Sequence, residues 1–164
     1  MEPITYHSLD RAGEEAVRLW ALASAQYPKQ HTLVLNIATA SIIEAVSAFA
    51  LNARRAMELL PFTERIMLTQ PRWSWQPVPG AEVVDDLRDA LNRIVHARSL
   101  EVGFEDLPRH LSAIDGGAVV VPYVRAATDR RPRAMIDPFA LSHAFLYQAL
   151  PKLTVPKGRA SPNH

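Results

Sequence analysis

Three polar residues able to act together on a phosphate group recur at four-residue intervals: Arg88, Asn92 and His96. This spacing places them along one edge of a helix, beside its apolar face. A histidine titrates near neutrality and can transfer protons, and an arginine can hold a phosphate through two hydrogen bonds. Metal-independent RNA cleavage needs proton transfer at a 2′-hydroxyl and stabilisation of extra charge on phosphorus. The pattern therefore predicts that Arg88 holds phosphate, Asn92 positions the substrate and His96 is the acid or base.

Glu44 is a further candidate for this cluster, because it is the one charged residue in the apolar stretch 32–53. We expect it to pair with Arg88 or His96 across a helix interface and to orient the catalytic base. Each position also has a structural explanation that the sequence leaves open. Glu44 can belong to a buried ion pair, Arg88 can be solvated helix polarity, and His96 can cap or pack a helix end.

Two segments of the chain resemble HEPN-like proteins. The run LRDALNRIVHA, residues 87–97, resembles the second, motif-bearing helix of that family, and SAFALNARR, residues 47–55, resembles its packing partner. The resemblance covers roughly residues 30 to 100 and implies an all-helical up-down bundle that often dimerises. Many family members are metal-independent ribonucleases of toxin–antitoxin, phage-defence and RNA-processing systems.

The family signature is an arginine followed, after four to six residues, by a histidine. In this chain two residues separate Arg93 from His96 and seven separate Arg88 from it, while Asn92 and His96 form an Asn-x-x-x-His step. Family members without the signature are thought to be binding or scaffolding modules. The resemblance therefore implies a homodimer that binds RNA or a partner protein, either as a ribonuclease or as a non-enzymatic interaction domain.

Two further groups of residues are candidates for contact with nucleic acid. One is a set of arginines around a predicted hairpin turn, which could straddle a nucleic-acid backbone or be a solvated turn: Arg125, Arg130, Arg131 and Arg133. The other is the pair Trp73 and Trp75 in a proline-rich connector, which could stack on bases or a partner, or pack beneath the loop.

The composition excludes several classes of site. The chain has no cysteine, so disulfides, cysteine zinc sites and thiol nucleophiles are absent, and its net charge of +1 provides no overall basic field. The histidines show no HxxxH or HExxH spacing, and glycine-rich phosphate loops are missing. We therefore expect no metal and no cofactor.

The elements that must position these residues follow from apolar periodicity and from proline and glycine. We predict a mainly α fold, an antiparallel helical bundle with a small C-terminal β-hairpin and a terminal helix. Residues 1–150 form one domain, and the tail 151–164 is expected to be disordered. The predicted helices span 10–27, 31–60, 81–97 and 139–150, the hairpin strands span 118–124 and 133–136, and a short strand is possible at 100–104.

The start of the chain lacks a signal-peptide pattern. The apolar stretch 32–53 is long enough to span a membrane. Its central Glu44 and several other polar residues favour a buried helix of a soluble protein over a span. We therefore expect a cytoplasmic protein with no membrane contact.

Overall fold

The computed structural model describes residues 3–60 and 62–154, with side chains in the first helix from residue 7 onwards. Helices account for 51% of the structure and strands for 18%, and five strands join in one mixed sheet. The predicted mainly α antiparallel bundle is therefore wrong, because the sheet is a full second layer of the protein.

Two long helices, α1 (Pro3–Ser24) and α2 (Thr32–Leu59), pack against each other. One side of α2 is buried at helical spacing, including Ile42, Val46 and Phe49, none of which is accessible to solvent. The burial of this side provides the hydrophobic stabilisation that joins the helices.

The opposite side of α2 is exposed and carries Leu33, Ile37 and Leu51. Among the described helices, α2 is the one with the length and apolar composition to cross a membrane. In its most apolar stretch of 18 residues, 33% of the residues are buried. The expectation of a mostly buried helix therefore holds only for the side that faces the protein.

The candidate helix is α3 (Leu87–Val95), which is shorter than the predicted 81–97. Its N-cap is Asp86, whose carboxylate accepts a hydrogen bond from the Asp89 amide at 2.9 Å. The apolar face is buried as predicted, with Leu91 1% and Ile94 4% exposed. This face packs against α2, with which α3 runs antiparallel.

The sheet is built around β4 (Ala118–Ala127), which pairs antiparallel with β3 (Ser99–Asp106) along one edge. Along its other edge β4 pairs with β1 (Tyr27–Pro28) and then with β5 (Ala134–Ile136). The two-residue strand β2 (Glu82–Val83) lies parallel to β5 and ends the sheet.

A proline within a strand is typical of an edge strand, but β4, which contains Pro122, is central in the sheet. Proline cannot donate a ladder hydrogen bond, so inside a sheet it is restricted to places where none is required, such as a bulge. Pro122 lies at such a place: the β3–β4 register shifts between Gly103 and Glu105, and β1 and β5 pair with β4 on either side of it.

The described part of the chain ends in α4 (Pro138–Ala144), a π-helical turn (Phe145–Ala149) and α5 (Leu150–Thr154). The pair Asp137-Pro138 has the residue types of an N-cap and a first helical turn, and in the structure Asp137 caps α4 and Pro138 occupies its first turn. The start of the predicted disordered tail is helical, with Leu153 buried, and residues 155–164 of that tail lie outside the described residues.

The tryptophans of the connector pack inward. The Trp73 indole donates to the Ala23 carbonyl at 2.9 Å, and the Trp75 ring lies 5.2 Å from that of Tyr123. Both side chains are half-buried, and these contacts favour the interpretation in which one of them packs beneath the loop.

Candidate functional site

A cavity of about 440 Å³ lies where the end of α3 meets the connection between β4 and β5. Its lining combines two groups of residues that the sequence singled out separately, the edge of α3 and the arginines of the hairpin. The lining residues are Asn92, Arg93, His96, Arg98, Thr128, Asp129, Arg130 and Arg131. We call this space the Arg–His cavity. It is open to solvent, and its charged lining is mainly cationic.

His96 is the C-cap residue of α3, and it is exposed. Its Nε2 lies 3.2 Å from Nη1 of Arg54, which α2 presents to it. A guanidinium can only donate hydrogen bonds, so a hydrogen bond between the two side chains has Nε2 as its acceptor.

Two ion pairs position the arginines of the hairpin side. The Arg98 guanidinium contacts the Asp129 carboxylate, and Arg131 Nη1 lies 3.3 Å from Asp89 Oδ1 on α3. Arg130 is exposed beside them. Two carboxylates thus offset only part of the charge of the arginines, which leaves a site suited to an anion with several oxygen atoms.

Arg93 fixes the hairpin to α3 from inside the protein. Its side chain is 3% exposed, Nη1 donates to the Pro132 carbonyl at 3.2 Å, and Nη2 donates to Glu82 on β2. The hydrogen bond from Arg93 lowers the pKa of the Glu82 carboxyl. Within the described part of the chain, Arg93 Nε has no hydrogen-bond partner and lies 3.6 Å from an oxygen of Asp89. Arg93 therefore has a structural role in the wall of the cavity.

Asn92 also lines a second, smaller cavity of about 160 Å³ between α2 and α3. We call this space the α2–α3 cavity. Arg88 belongs to it rather than to the Arg–His cavity, and its Nη2 donates to the Phe62 carbonyl. The predicted row Arg88, Asn92, His96 thus exists along one edge of α3, but Arg88 does not line the cavity that His96 lines.

Three other candidates lie elsewhere. Glu44 is exposed and pairs with Arg18 of α1 at 3.4 Å, so the expected pairing with His96 or Arg88 is wrong. The reason is that Glu44 lies ten residues before Arg54, the α2 residue that reaches His96, which is about 15 Å along the helix. Arg125 pairs with Glu101 of β3 at 3.1 Å, and Arg133 is exposed next to β5 without lining the Arg–His cavity.

Sequence reasoning missed several residues of the site, including Arg54 and Arg98. A cation near a helix end, such as Arg54, needs no other explanation in a sequence, and the register between α2 and α3 cannot be read from periodicity. Arg98 was not considered, although its position two residues beyond His96 is a usable signal.

No group of three or more residues able to hold a metal ion occurs in the ranges that the structure covers. Comparison of the chain with protein-family models, curated proteins and solved structures finds no match. The resemblance to HEPN-like proteins therefore rests on the residues quoted for it, and the all-helical fold that it implies is not the fold of this protein.

Proposed function

We propose that the protein binds single-stranded RNA at the Arg–His cavity and cleaves it without a metal ion, as a HEPN-like ribonuclease of a defence or toxin–antitoxin type. The observation that carries this proposal is the convergence of Asn92 and His96 with Arg130 and Arg131 on one cavity. A proton acceptor and several guanidinium groups then face the same bound phosphate.

The chemistry requires a neutral His96. Its Nε2 exchanges the contact with Arg54 for a hydrogen bond from a ribose 2′-hydroxyl and takes that proton, and the resulting alkoxide attacks the neighbouring phosphorus. The bond from phosphorus to the 5′-oxygen breaks, a 2′,3′-cyclic phosphate forms, and the departing oxygen takes a proton from water. Arg98, Arg130 and Arg131 stabilise the additional negative charge that develops on the phosphate oxygens.

The test is cleavage of a 5′-labelled oligoribonucleotide in the presence of a chelator. We expect products that end in a 2′,3′-cyclic phosphate, and a DNA strand of the same sequence should remain intact because it lacks the 2′-hydroxyl. His96→Ala should lower the rate by about 10²- to 10⁴-fold. His110→Ala is the matched control, since His110 is another exposed histidine and lies in the turn Arg109–Leu111.

The contribution of the arginines is tested by binding. Arg130→Ala combined with Arg131→Ala should weaken RNA binding and reduce its salt dependence, whereas Arg109→Ala should change neither. RNA that is bound but never cleaved would refute the nuclease and leave an RNA-binding protein. No RNA binding at all would favour the non-enzymatic interaction role instead.

A further inference from the structure

The α2–α3 cavity has the size and lining of a site for one aromatic ring. Its volume is about 160 Å³, and a dry cavity of about 150 Å³ holds a benzene molecule. Met57 and Leu91, which are 5% and 1% exposed, provide apolar surface. The remaining lining is polar and comes from Arg54, Glu58, Arg88 and Asn92. A flat ring with polar edges therefore suits this space.

The α2–α3 cavity adjoins the Arg–His cavity through shared residues. Asn92 lines both, and Arg54, which lines the smaller one, reaches His96 at the edge of the larger one. A ligand with its phosphate among Arg98, Arg130 and Arg131 can therefore place an attached ring beside Asn92. A nucleotide is a ligand of this kind, because its base and its phosphate are joined by one sugar.

Glu58 distinguishes between the bases. Its Oε1 accepts a hydrogen bond from Arg54 Nε at 3.0 Å, and among the described residues Oε2 has no such bond. A carboxylate accepts hydrogen bonds and donates none when it is ionised. Guanine presents two neighbouring N–H donors on its Watson–Crick edge, whereas the other three RNA bases present a single donor position beside an acceptor.

We infer that the α2–α3 cavity is a base-binding subsite selective for guanine, whose six-membered ring, the one with the Watson–Crick edge, fills the cavity and whose five-membered ring lies in its opening. Glu58 accepts hydrogen bonds from N1 and N2 of the base, and the amide of Asn92 donates to its O6. The guanidinium planes of Arg54 and Arg88 offer surfaces on which the ring stacks, a common mode in recognition of single-stranded RNA. This inference rests on the proposed function, because it assigns the substrate class of the same site.

The experiment is titration calorimetry of the full chain with the four nucleoside 3′-monophosphates and with inorganic phosphate. Guanosine 3′-monophosphate should bind about ten- to hundredfold more tightly than the other three nucleotides, the range expected for one well-formed bidentate contact. Glu58→Gln should remove this advantage and leave the affinity for inorganic phosphate unchanged. Glu44→Gln is the matched control, since Glu44 is another exposed, ion-paired glutamate on α2.

Equal affinity for the four nucleotides, or guanine selectivity that survives Glu58→Gln, overturns the inference. The thermal midpoint of Glu58→Gln, which we expect to stay close to that of the parent protein, shows that the variant is folded. Selective, Glu58-dependent binding of guanosine 3′-monophosphate with no cleavage of RNA supports the base subsite and refutes the nuclease. Cleavage without base selectivity refutes the subsite and supports the nuclease.

Discussion

Replacement of Asp137 by Asn should stabilise the protein at neutral pH, although Asp137 caps a helix. The side chain is 8% exposed, and its Oδ1 accepts the Ala140 amide hydrogen bond at 2.9 Å. Burial raises the pKa of this carboxyl from 3.8 to about 6, although hydrogen bonding from Ala140 opposes the change. The fold therefore favours the protonated carboxyl. Asn keeps the oxygen that accepts the capping hydrogen bond and carries no charge.

The size and the pH range of the effect follow from this pKa. Because the folded-state pKa is the higher one, the stabilisation is complete below about pH 3.8 and is lost as the pH rises towards 6. With about 1.4 kcal/mol for each pKa unit, the loss amounts to about 3 kcal/mol. At pH 7 the Asn variant should therefore be more stable than the parent protein by an amount of this order.

The assay is urea unfolding of both proteins from pH 4 to pH 7, with the difference between their unfolding free energies plotted against pH. Groups that titrate in both proteins cancel in this difference. Asp86→Asn is the matched control, since Asp86 caps α3 but its carboxylate is paired with the exposed Arg65, and it should give no gain at pH 7. A difference that is constant across this range, or one that favours the parent protein more as the pH rises, would refute the reasoning.

Two further perturbations test the packing around the site. Gly103→Ala should destabilise the protein by about 1–3 kcal/mol in urea unfolding, because the new Cβ would lie 2.1 Å from a ring carbon of the buried Tyr123. Gly13→Ala, within α1, should instead stabilise the protein by up to about 1 kcal/mol, because its new Cβ would lie 3.8 Å from the nearest atom. Equal changes in the unfolding free energy of the two variants would contradict this packing. Arg93→Met should speed amide hydrogen exchange in 128–133, because the bond to the Pro132 carbonyl is lost. Unchanged exchange would show that Arg93 does not hold the hairpin.

The local elements of this fold were predictable because their signals are local. The apolar period of Leu87, Leu91 and Ile94 predicted the buried face of α3, and Asp137-Pro138 predicted the start of α4. The hairpin strands were predicted from their β-branched residues and from the turn between them. None of these signals indicates the partner against which the element packs.

The fold class could not be predicted for that reason. Strands β1 and β2 have two residues each, which is too short to show an alternating pattern, and they exist only through pairing with distant segments. Pro122 is typical of an edge strand, but the register shift that accommodates it, between Gly103 and Glu105 of β3, exists only once the two strands have paired. The candidate site shows the same limit: Asn92 and His96 were identified on their helix, whereas Arg54 reaches His96 only through the helix register.

The central position of β4 also determines when the site can form during folding. Helices α1 and α2 are neighbours in the chain, so their pairing closes a short loop. By contrast, Tyr27 pairs with Val119, and about 90 residues separate the two in the sequence. Such distant contacts form slowly, because the chain loses the entropy of loop closure before the contact stabilises it. The Arg–His cavity requires the β4–β5 connection to be seated against α3. During synthesis from the N-terminus we therefore expect the helical pair to form first and the cavity to form only after β5 has left the ribosome, so that the nascent chain has no Arg–His cavity until its sheet is complete.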